Sequence, residues 1–325
     1  MTEIDRAVTI LRAGGLVAFP TETVYGLGAD ATSAEAVARI FAAKGRPANN
    51  PLIVHVADAA AAQRCAANWP AAAETLATRF WPGPLTIVVR RVRSGNWAVA
   101  DAVSAGGDTI GLRAPDHPIA LRLLREFAGP VAAPSANRSS HVSPTTAAHV
   151  RDDLGDRVDL ILDGGPCRVG IESTVLDLTG EPTILRPGHI SRIQLEQALG
   201  GRVSIADEQK RGTMLRSPGR SEIHYAPRLP TFRFERAQRP ALEASDHPRR
   251  KLMLWGGDAP MSLPRRWIMP TDPSAYAAEL YRVLREMDAP DDVGEGEIWI
   301  EMPPDEPAWA AVRDRLLRAS SPALR

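Results

Sequence analysis

Ile4, Val8 and Leu11 recur at helical spacing near the start of the chain, which lays one apolar stripe along a helix. Thr2 with Asp5 reads as an approximate capping box, and Gly14-Gly15 stops the helix. LVAF at 16–19 then reads as a strand. A second helix starts at the N-cap Ser33 and carries Val37, Ile40 and Phe41 on one face as far as Lys44-Gly45. LIVHV at 52–56 is strand-like. Two Ala-rich helical stretches follow, then strands at 85–89 and 109–113, a helix over about 118–127, and VAA at 131–133. A helix from about Thr145 precedes the strand-like LIL, STVLDL at 173–178 and TILR at 183–186. Strands alternate with helices early and follow one another later. The pattern therefore predicts an α/β fold with a twisted mixed sheet and packed helices, not a purely doubly wound one.

Between about 206 and 251 the periodicity breaks. Eleven Lys/Arg face six Asp/Glu there, with prolines at 218, 227, 230, 240 and 248, so the stretch reads as a basic, Pro-containing linker. Beyond it, KLMLWGG and RWIMP read as short strands, 276–287 as a helix, EIWIEMP as a strand and 309–319 as a final helix. The expected organisation is a first domain over 1–205, a linker or lid over 206–250, and a small C-terminal α/β domain over 251–325.

Composition narrows the class. The 325 residues carry 39 Lys+Arg against 39 Asp+Glu, so no global charge pulls the chain toward nucleic acid or an anionic membrane. No apolar run approaches the roughly 18 residues that cross a bilayer, and the first residues lack a signal-peptide pattern. Cys65 and Cys167 are far apart and outside any CxxC context, which argues against a disulfide framework or zinc ribbon and fits a reducing cytoplasm.

Four segments carry candidate chemistry. TETVYGLG at 21–28 lies between a predicted strand and a predicted helix, where α/β folds place ligands. Its Gly26–Ala31 stretch matches G-x-G-x-x-A, but the turn before it is too long and no acid ends the next strand. A glycine loop needing φ > 0 explains the segment equally well. KGRPANNP at 44–51 offers an ammonium and a guanidinium on a turn, suited to a polyphosphate, although helix capping is the commoner fate of such cations. APSAN at 133–137, trailed by Ser139, Ser140 and Ser143, and IEST at 171–174 place small hydroxyls and an amide beside strands. Either segment can serve as a plain turn. Arg113 and Arg186 each end a strand before a proline or near one, where a guanidinium can capture a carboxylate or phosphate, or form a surface ion pair. The chain has no Walker P-loop, nucleophile elbow, HExxH or paired cysteines. What remains suits reactions driven by positioning and charge stabilisation, adenylyl transfer among them.

In order and spacing, TETVYGLG, KGRP…NPLIVHV, WPGPLT at 81–86, GLRAP at 111–115, APSAN, IESTVLD at 171–177 and LRPG at 185–188 resemble the YrdC-like family of threonylcarbamoyl-adenylate synthases. The resemblance covers about 1–205. The segments SPG…HYAP at 217–227, DPSAYAAELYRVLREMD and WIEMPP are similar to the long subfamily with a C-terminal domain. It implies a YrdC-like fold with a large concave cavity, and an activity that joins ATP, L-threonine and bicarbonate into threonylcarbamoyl-AMP and pyrophosphate. A separate threonylcarbamoyl transferase then modifies tRNA. Thr23, His55, Arg113 and Ser173 match positions that hold threonine, with Arg113 on its carboxylate. Lys44, Arg46, Asn50, Thr109, Ser135, Asn137, Ser143 and Arg186 match nucleotide and phosphate positions, and Tyr225 matches a linker residue that reaches over the nucleotide. In the tail, DEPAW stands where the family has a Gly-rich turn.

The implied chemistry needs no protein nucleophile: a carbamate oxygen attacks the α-phosphate while pyrophosphate leaves. Mg²⁺ is expected on the ATP phosphates, with no dedicated protein metal site. Serine, which lacks only a methyl, is expected to compete with threonine. An alternative without catalysis is an RNA-binding module using the basic linker, for which a weak RNA contact and strong salt dependence are the signature. A second is carbamoyl transfer in hydrogenase maturation, whose proteins carry zinc-finger cysteines that this chain lacks. A third is an inactive relative. No membrane partner is expected.

Overall fold

The computed structural model describes residues 2–206, 225–244, 247, 249–256, 265–290 and 296–323. The chain divides into two compact units, Met1–Ser139 with Pro144–Arg220, and Ser140–Ser143 with Ser221–Arg325.

Unit 1 runs α1 (Glu3–Arg12), β1 (Val17–Phe19), β2 (Gly26–Asp30), α2 (Ala34–Lys44), β3 (Ile53–His55), α3 (Ala59–Cys65), α4 (Ala71–Phe80), β4 (Leu85–Arg90), β5 (Thr109–Arg113), α5 (Pro118–Phe127) and β6 (Val131–Ala132). It continues through α6 (Ala147–Leu154), β7 (Leu160–Ile161), β8 (Thr174–Asp177), β9 (Thr183–Arg186), α7 (Arg192–Leu199) and β10 (Ser204–Ile205). The strands form one mixed sheet in the order β10-β9-β8-β4-β5-β3-β6-β2-β1-β7. Thr2 and Asp5 close the predicted capping box on α1, Ser33 caps α2, and Gly45 ends α2 in the left-handed region at φ 61°.

Alternation along each strand assigns the two faces of this sheet. Leu27, Ala29, Val54, Ile87, Ile110, Leu112, Leu176 and Ile184 point to one face and pack with Val37 and Ile40 of α2, Leu76 of α4, Val150 of α6 and Leu195 of α7. On the other face Val17, Phe19, Val131 and Ala133 are covered by α1 and α5 through Val8, Leu11, Leu123 and Leu124. That cover does not extend over β3, β5, β4 and β8. There Ile53, Val88 and Val175 form a small apolar cluster of their own and, with Thr86, Thr109 and Gly111, line a cleft of about 510 Å³, a volume typical of small-molecule sites. Phe19 on β1 meets His55 on β3 edge-on at 5.9 Å between ring centroids, the side chains reaching across β2 and β6, which lie between their strands.

The segment 26–30 differs from expectation. It is a strand, antiparallel to β1, with Gly26 opposite Phe19 and Gly28 opposite Val17, so neither a dinucleotide turn nor a positive-φ loop is present there. A Cβ on Gly28 would lie 2.8 Å from Phe19 Cε1 and 3.0 Å from Val131 Cγ1. These glycines let Phe19 lie flat across the strand.

Unit 2 comprises β11 (Thr231–Phe234), α8 (Arg239–Ala244), β12 (Arg250–Trp255), β13 (Arg266–Met269), α9 (Pro273–Met287), β14 (Glu297–Glu301), α10 (Ala310–Ala319) and β15 (Ser321–Pro322). They build a sheet in the order β13-β12-β14-β11-β15 with every pair parallel. Part of the stretch read as a linker is therefore an inner strand, β11, and the helix α8. Prolines and arginines around T-F-R-F mask its two inward apolar positions. Where DEPAW replaces the expected Gly-rich turn, Trp309 is buried with its ring edge-on to Trp255 and Tyr276. Among the described residues no helix is long and apolar enough to cross a membrane. Cys65 and Cys167 are free and buried, and burial pushes both thiols up to about 12.

Candidate active site

The strands of the bare half carry three of the predicted residues, His55 on β3 and Thr109 and Arg113 on β5, and Thr109 lines the cleft itself. On β5, Thr109, Gly111 and Arg113 alternate with the core residues Ile110 and Leu112, so all three point away from the core face. Four residues at strand rise separate Thr109 from Arg113 by about 13 Å. His55 is the register partner of Arg113, and Ile53 that of Gly111.

Arg113 is buried. Its Nη2 lies 2.7 Å from Glu22 Oε1, with side-chain exposures of 4% and 0%, and its Nε donates to Gly83 O at 3.3 Å. The Nη2–Oε1 contact has ion-pair distance without hydrogen-bond alignment. Glu22 Oε2 accepts from the Asp116 amide at 3.0 Å. Thr23 sits beside Glu22, its hydroxyl 2.9 Å from that of Thr21, which in turn donates to Val24 O. Burial and the Arg113 charge hold the His55 imidazole well below its usual range, against a hydrogen bond with the Ile53 backbone. The ring is therefore neutral at pH 7.

Lys44 closes α2 with its ammonium buried, donating to Ser135 O at 2.6 Å, to Asn137 O and to Asn137 Oδ1 at 3.3 Å. Ser135 Oγ donates to the same Asn137 Oδ1 at 2.6 Å. Arg46 donates to the carbonyls of Asn50 at 3.1 Å and Pro51 at 2.9 Å. Both cations thus shape the loops that carry the other predicted nucleotide residues. The APSAN loop is held against the threonine-rich loop by Leu27 N to Pro134 O and Ala136 N to Tyr25 O, each 2.8 Å. Burial and the neighbouring Arg46 charge push the Lys44 ammonium well below its ordinary 10.5, opposed by Asp153.

A phosphate placed at Lys44 favours the charged form, so binding takes up a proton. Affinity for a phosphate at this position should then fall as pH rises from the lowered value of free Lys44 toward 10.5, because the bound state holds more protons across that window. Measuring the ATP KM against pH above 8 in the protein and in Lys44→Arg checks this: the variant should show a flat profile.

The predicted threonine and phosphate sets meet at Ser173. Its hydroxyl lies 2.8 Å from Thr86 Oγ1, and Arg186 donates to Ser173 O at 3.0 Å and to Ser173 Oγ at 3.2 Å. Gly188 makes this approach feasible. A Cβ there would strike Thr174 N, Ser173 C at 2.6 Å and Glu172 O at 2.8 Å. Since all three are backbone atoms, Gly188→Ala should cost about 1–3 kcal/mol in urea unfolding, and activity should fall with the displacement of Ser173.

Ser143 and Tyr225 belong to unit 2. The segment Ser140–Ser143 is tied there by Ala226 N to Ser140 O at 3.0 Å and by Arg285, which donates to Ser143 O at 3.3 Å and to Val142 O. Tyr225, at φ 64°, stacks on Tyr281 at 5.7 Å beneath the Arg315 guanidinium. Residues 217–224 of the HYAP segment lie outside the described residues. Sequence reasoning did not single out Glu22 or Thr86, although both lie inside motifs it used.

Buried side-chain polar atoms are nearly always hydrogen-bonded. In unit 1, those without such a bond among the described residues are Glu22 Oε1, Asn50 Oδ1, His55 Nδ1 and Arg113 Nη2. Glu22 Oε1 and Arg113 Nη2 face each other as an ion pair, which leaves Asn50 Oδ1 and His55 Nδ1 as the two buried atoms without a hydrogen-bond or ion-pair partner, both at predicted site residues.

Known proteins match this chain in sequence and in fold. A family model described as "Telomere recombination" (Sua5_yciO_yrdC) matches residues 9–188, and one described as "Threonylcarbamoyl-AMP synthase, C-terminal domain" matches 190–321. The threonylcarbamoyl-AMP synthase of Bacillus subtilis (strain 168) is 40% identical over 334 aligned residues, covering 98% of this chain and 93% of that protein. The solved structure of Pyrococcus abyssi Sua5 complexed with L-threonine superposes with a TM-score of 0.88 at 36% identity, covering 98% of this chain and 94% of that one. HypF, determined in a phosphate- and nucleotide-bound form, is 22% identical over 59% of this chain and shares the fold alone. With both family models matched in sequence and one relative aligned over nearly the whole chain, the chain belongs to the threonylcarbamoyl-AMP synthases, enzymes of the long Sua5 subfamily that carries a C-terminal domain.

Proposed function

We propose that the cleft of unit 1 takes L-threonine, bicarbonate and ATP and releases L-threonylcarbamoyl-AMP and pyrophosphate, the activated group that a separate transferase places on tRNA adenosine. The observation that carries this reading is the contact at Ser173, where the residues expected around threonine touch Arg186, expected on phosphate. A carbamate formed on the threonine nitrogen is there beside the α-phosphate it must attack. The P. abyssi protein bound to L-threonine supports the choice of amino acid.

Threonine's carboxylate is assigned to Arg113, with Thr23, His55 and Ser173 around its remaining groups. The neutral imidazole can accept from or donate to the threonine hydroxyl. Lys44, Arg46, Asn50, Ser135, Asn137 and Arg186 supply cations and neutral donors, which suit phosphate oxygens better than a metal ion. Mg²⁺ accordingly enters with ATP, held by phosphates and water. Thr109 and the apolar floor of Ile53, Val88 and Val175 extend the cleft along β5 away from Arg113. Catalysis then rests on orientation and on neutralising charge as pyrophosphate departs.

Mass spectrometry of products made from ATP, Mg²⁺, bicarbonate and L-threonine, with each component omitted in turn, tests the proposal. Threonylcarbamoyl-AMP should appear only in the complete mixture. Absence of any adenylate, with salt-sensitive RNA binding in its place, would favour the RNA-binding reading.

A further inference from the structure

We infer that Glu22 is a positioning residue for substrate recognition: it fixes the rotation of the Arg113 guanidinium so that the fork formed by Nη1 and Nη2 is left for the carboxylate of the amino acid. This rests on the assignment of threonine to Arg113 made above.

A guanidinium presents five N–H groups in a plane and offers a carboxylate two alternative edges. One edge is formed by Nε and Nη2, the other by Nη1 and Nη2. In Arg113, Nε donates to Gly83 O, on the first edge, and Nη2, which both edges share, lies 2.7 Å from Glu22 Oε1. Among the described residues the one hydrogen bond of the Arg113 side chain is that from Nε to Gly83 O, so Nη1 makes none, and the Nη2–Glu22 contact is not aligned as a hydrogen bond. No aligned protein hydrogen bond therefore occupies the second edge among the described residues, and rotation about the last side-chain torsions would lose the Gly83 bond and the Glu22 contact.

Glu22 is suited to this task by its own restraints. Its side chain is wholly buried, and Oε2 is fixed by the amide of Asp116, three residues after Arg113 on the same turn. Its backbone lies between Thr21 and Thr23, whose hydroxyls are bonded to each other. One carboxylate thus links the loop carrying Thr23 to the strand end carrying Arg113, and sets the spacing of two groups assigned to the same small ligand. A charge is required as well as a shape. A buried guanidinium facing a neutral partner keeps much of its desolvation cost and turns toward other carbonyls, whereas a paired one stays.

Glu22→Gln separates these roles, since the amide keeps the volume and an oxygen for the Asp116 N–H while removing the charge. The expected result is a rise of at least tenfold in the L-threonine KM with the ATP KM changed less than twofold. Discrimination between L-threonine and L-threoninamide as competing ligands should shrink by a similar factor, because only the former has a carboxylate for Arg113. Glu22→Asp, which restores the charge, should recover part of both. Loss of stability alone would raise both KM values or neither and leave the threonine-to-threoninamide ratio unchanged, so either of those outcomes overturns the inference. Arg113→Lys serves as the control: if it leaves the threonine KM unchanged, the placement of threonine itself is wrong. If it raises that KM while Glu22→Gln does not, only the role of Glu22 falls.

Discussion

Arg113→Ala is expected to raise the L-threonine KM by roughly 30-fold or more while the ATP KM moves by less than about threefold, since truncating one partner of a buried charge pair costs about 2–5 kcal/mol. Two losses combine in that figure. The carboxylate of the amino acid loses its fork, and Glu22, with a side-chain exposure of 0%, is left buried with no cation beside it. The second loss also lowers stability, so steady-state kinetics belong well below the midpoint of a thermal melt recorded for each variant. Arg113→Lys should recover charge without the bidentate geometry, and so fall between the two proteins in threonine KM. A uniform effect on threonine and ATP in a folded variant would remove Arg113 from the threonine end of the cleft.

Lys44→Met is expected to act in the opposite sense, raising the ATP KM by about ten- to a hundredfold with a much smaller change for threonine, the size typical of a lost charge-assisted contact at about 1.5–3 kcal/mol. Methionine keeps the length and burial of the stem. What disappears is the ammonium that holds Ser135 O, Asn137 O and Asn137 Oδ1 together. Three acceptors then lack their donor, and the APSAN loop loosens as the phosphate loses its cation. Isothermal titration with a non-hydrolysable ATP analogue separates binding from turnover. Unchanged nucleotide affinity would show that Lys44 serves the loop alone.

The periodicity of the chain made much of the fold legible because most strands of unit 1 read directly as apolar runs or alternations. LVAF sends Leu16 and Ala18 to one core and Val17 and Phe19 to the other, and TIGLR alternates core with cleft. The pattern failed where small residues stand in for a packed surface. Gly26 and Gly28 look like a turn because nothing in their composition shows Phe19 lying over them. It failed again at β11, whose apolar positions are few and lie among prolines and arginines. At the site, the cations and hydroxyls beside strands were visible as residue types, and family resemblance supplied their roles. The Glu22–Arg113 pair was not visible, because 91 residues separate partners that only the tertiary fold brings within 2.7 Å.

Ser140–Ser143 lies in the middle of the first unit's sequence yet is packed as part of the second. The division between the units in space is therefore not a division along the chain, and a single cut leaves this short segment apart from the unit it packs in. A fragment ending near Ile205 would carry these four residues without Ala226 or Arg285, stripping the segment of hydrogen bonds that define its path. A gene fusion or domain swap that exchanges the C-terminal half must likewise exchange this internal tetrapeptide, or match its register. Loss of the second half would reach the loop bearing Ser143 by leaving it without a template, even with every residue of the first half intact.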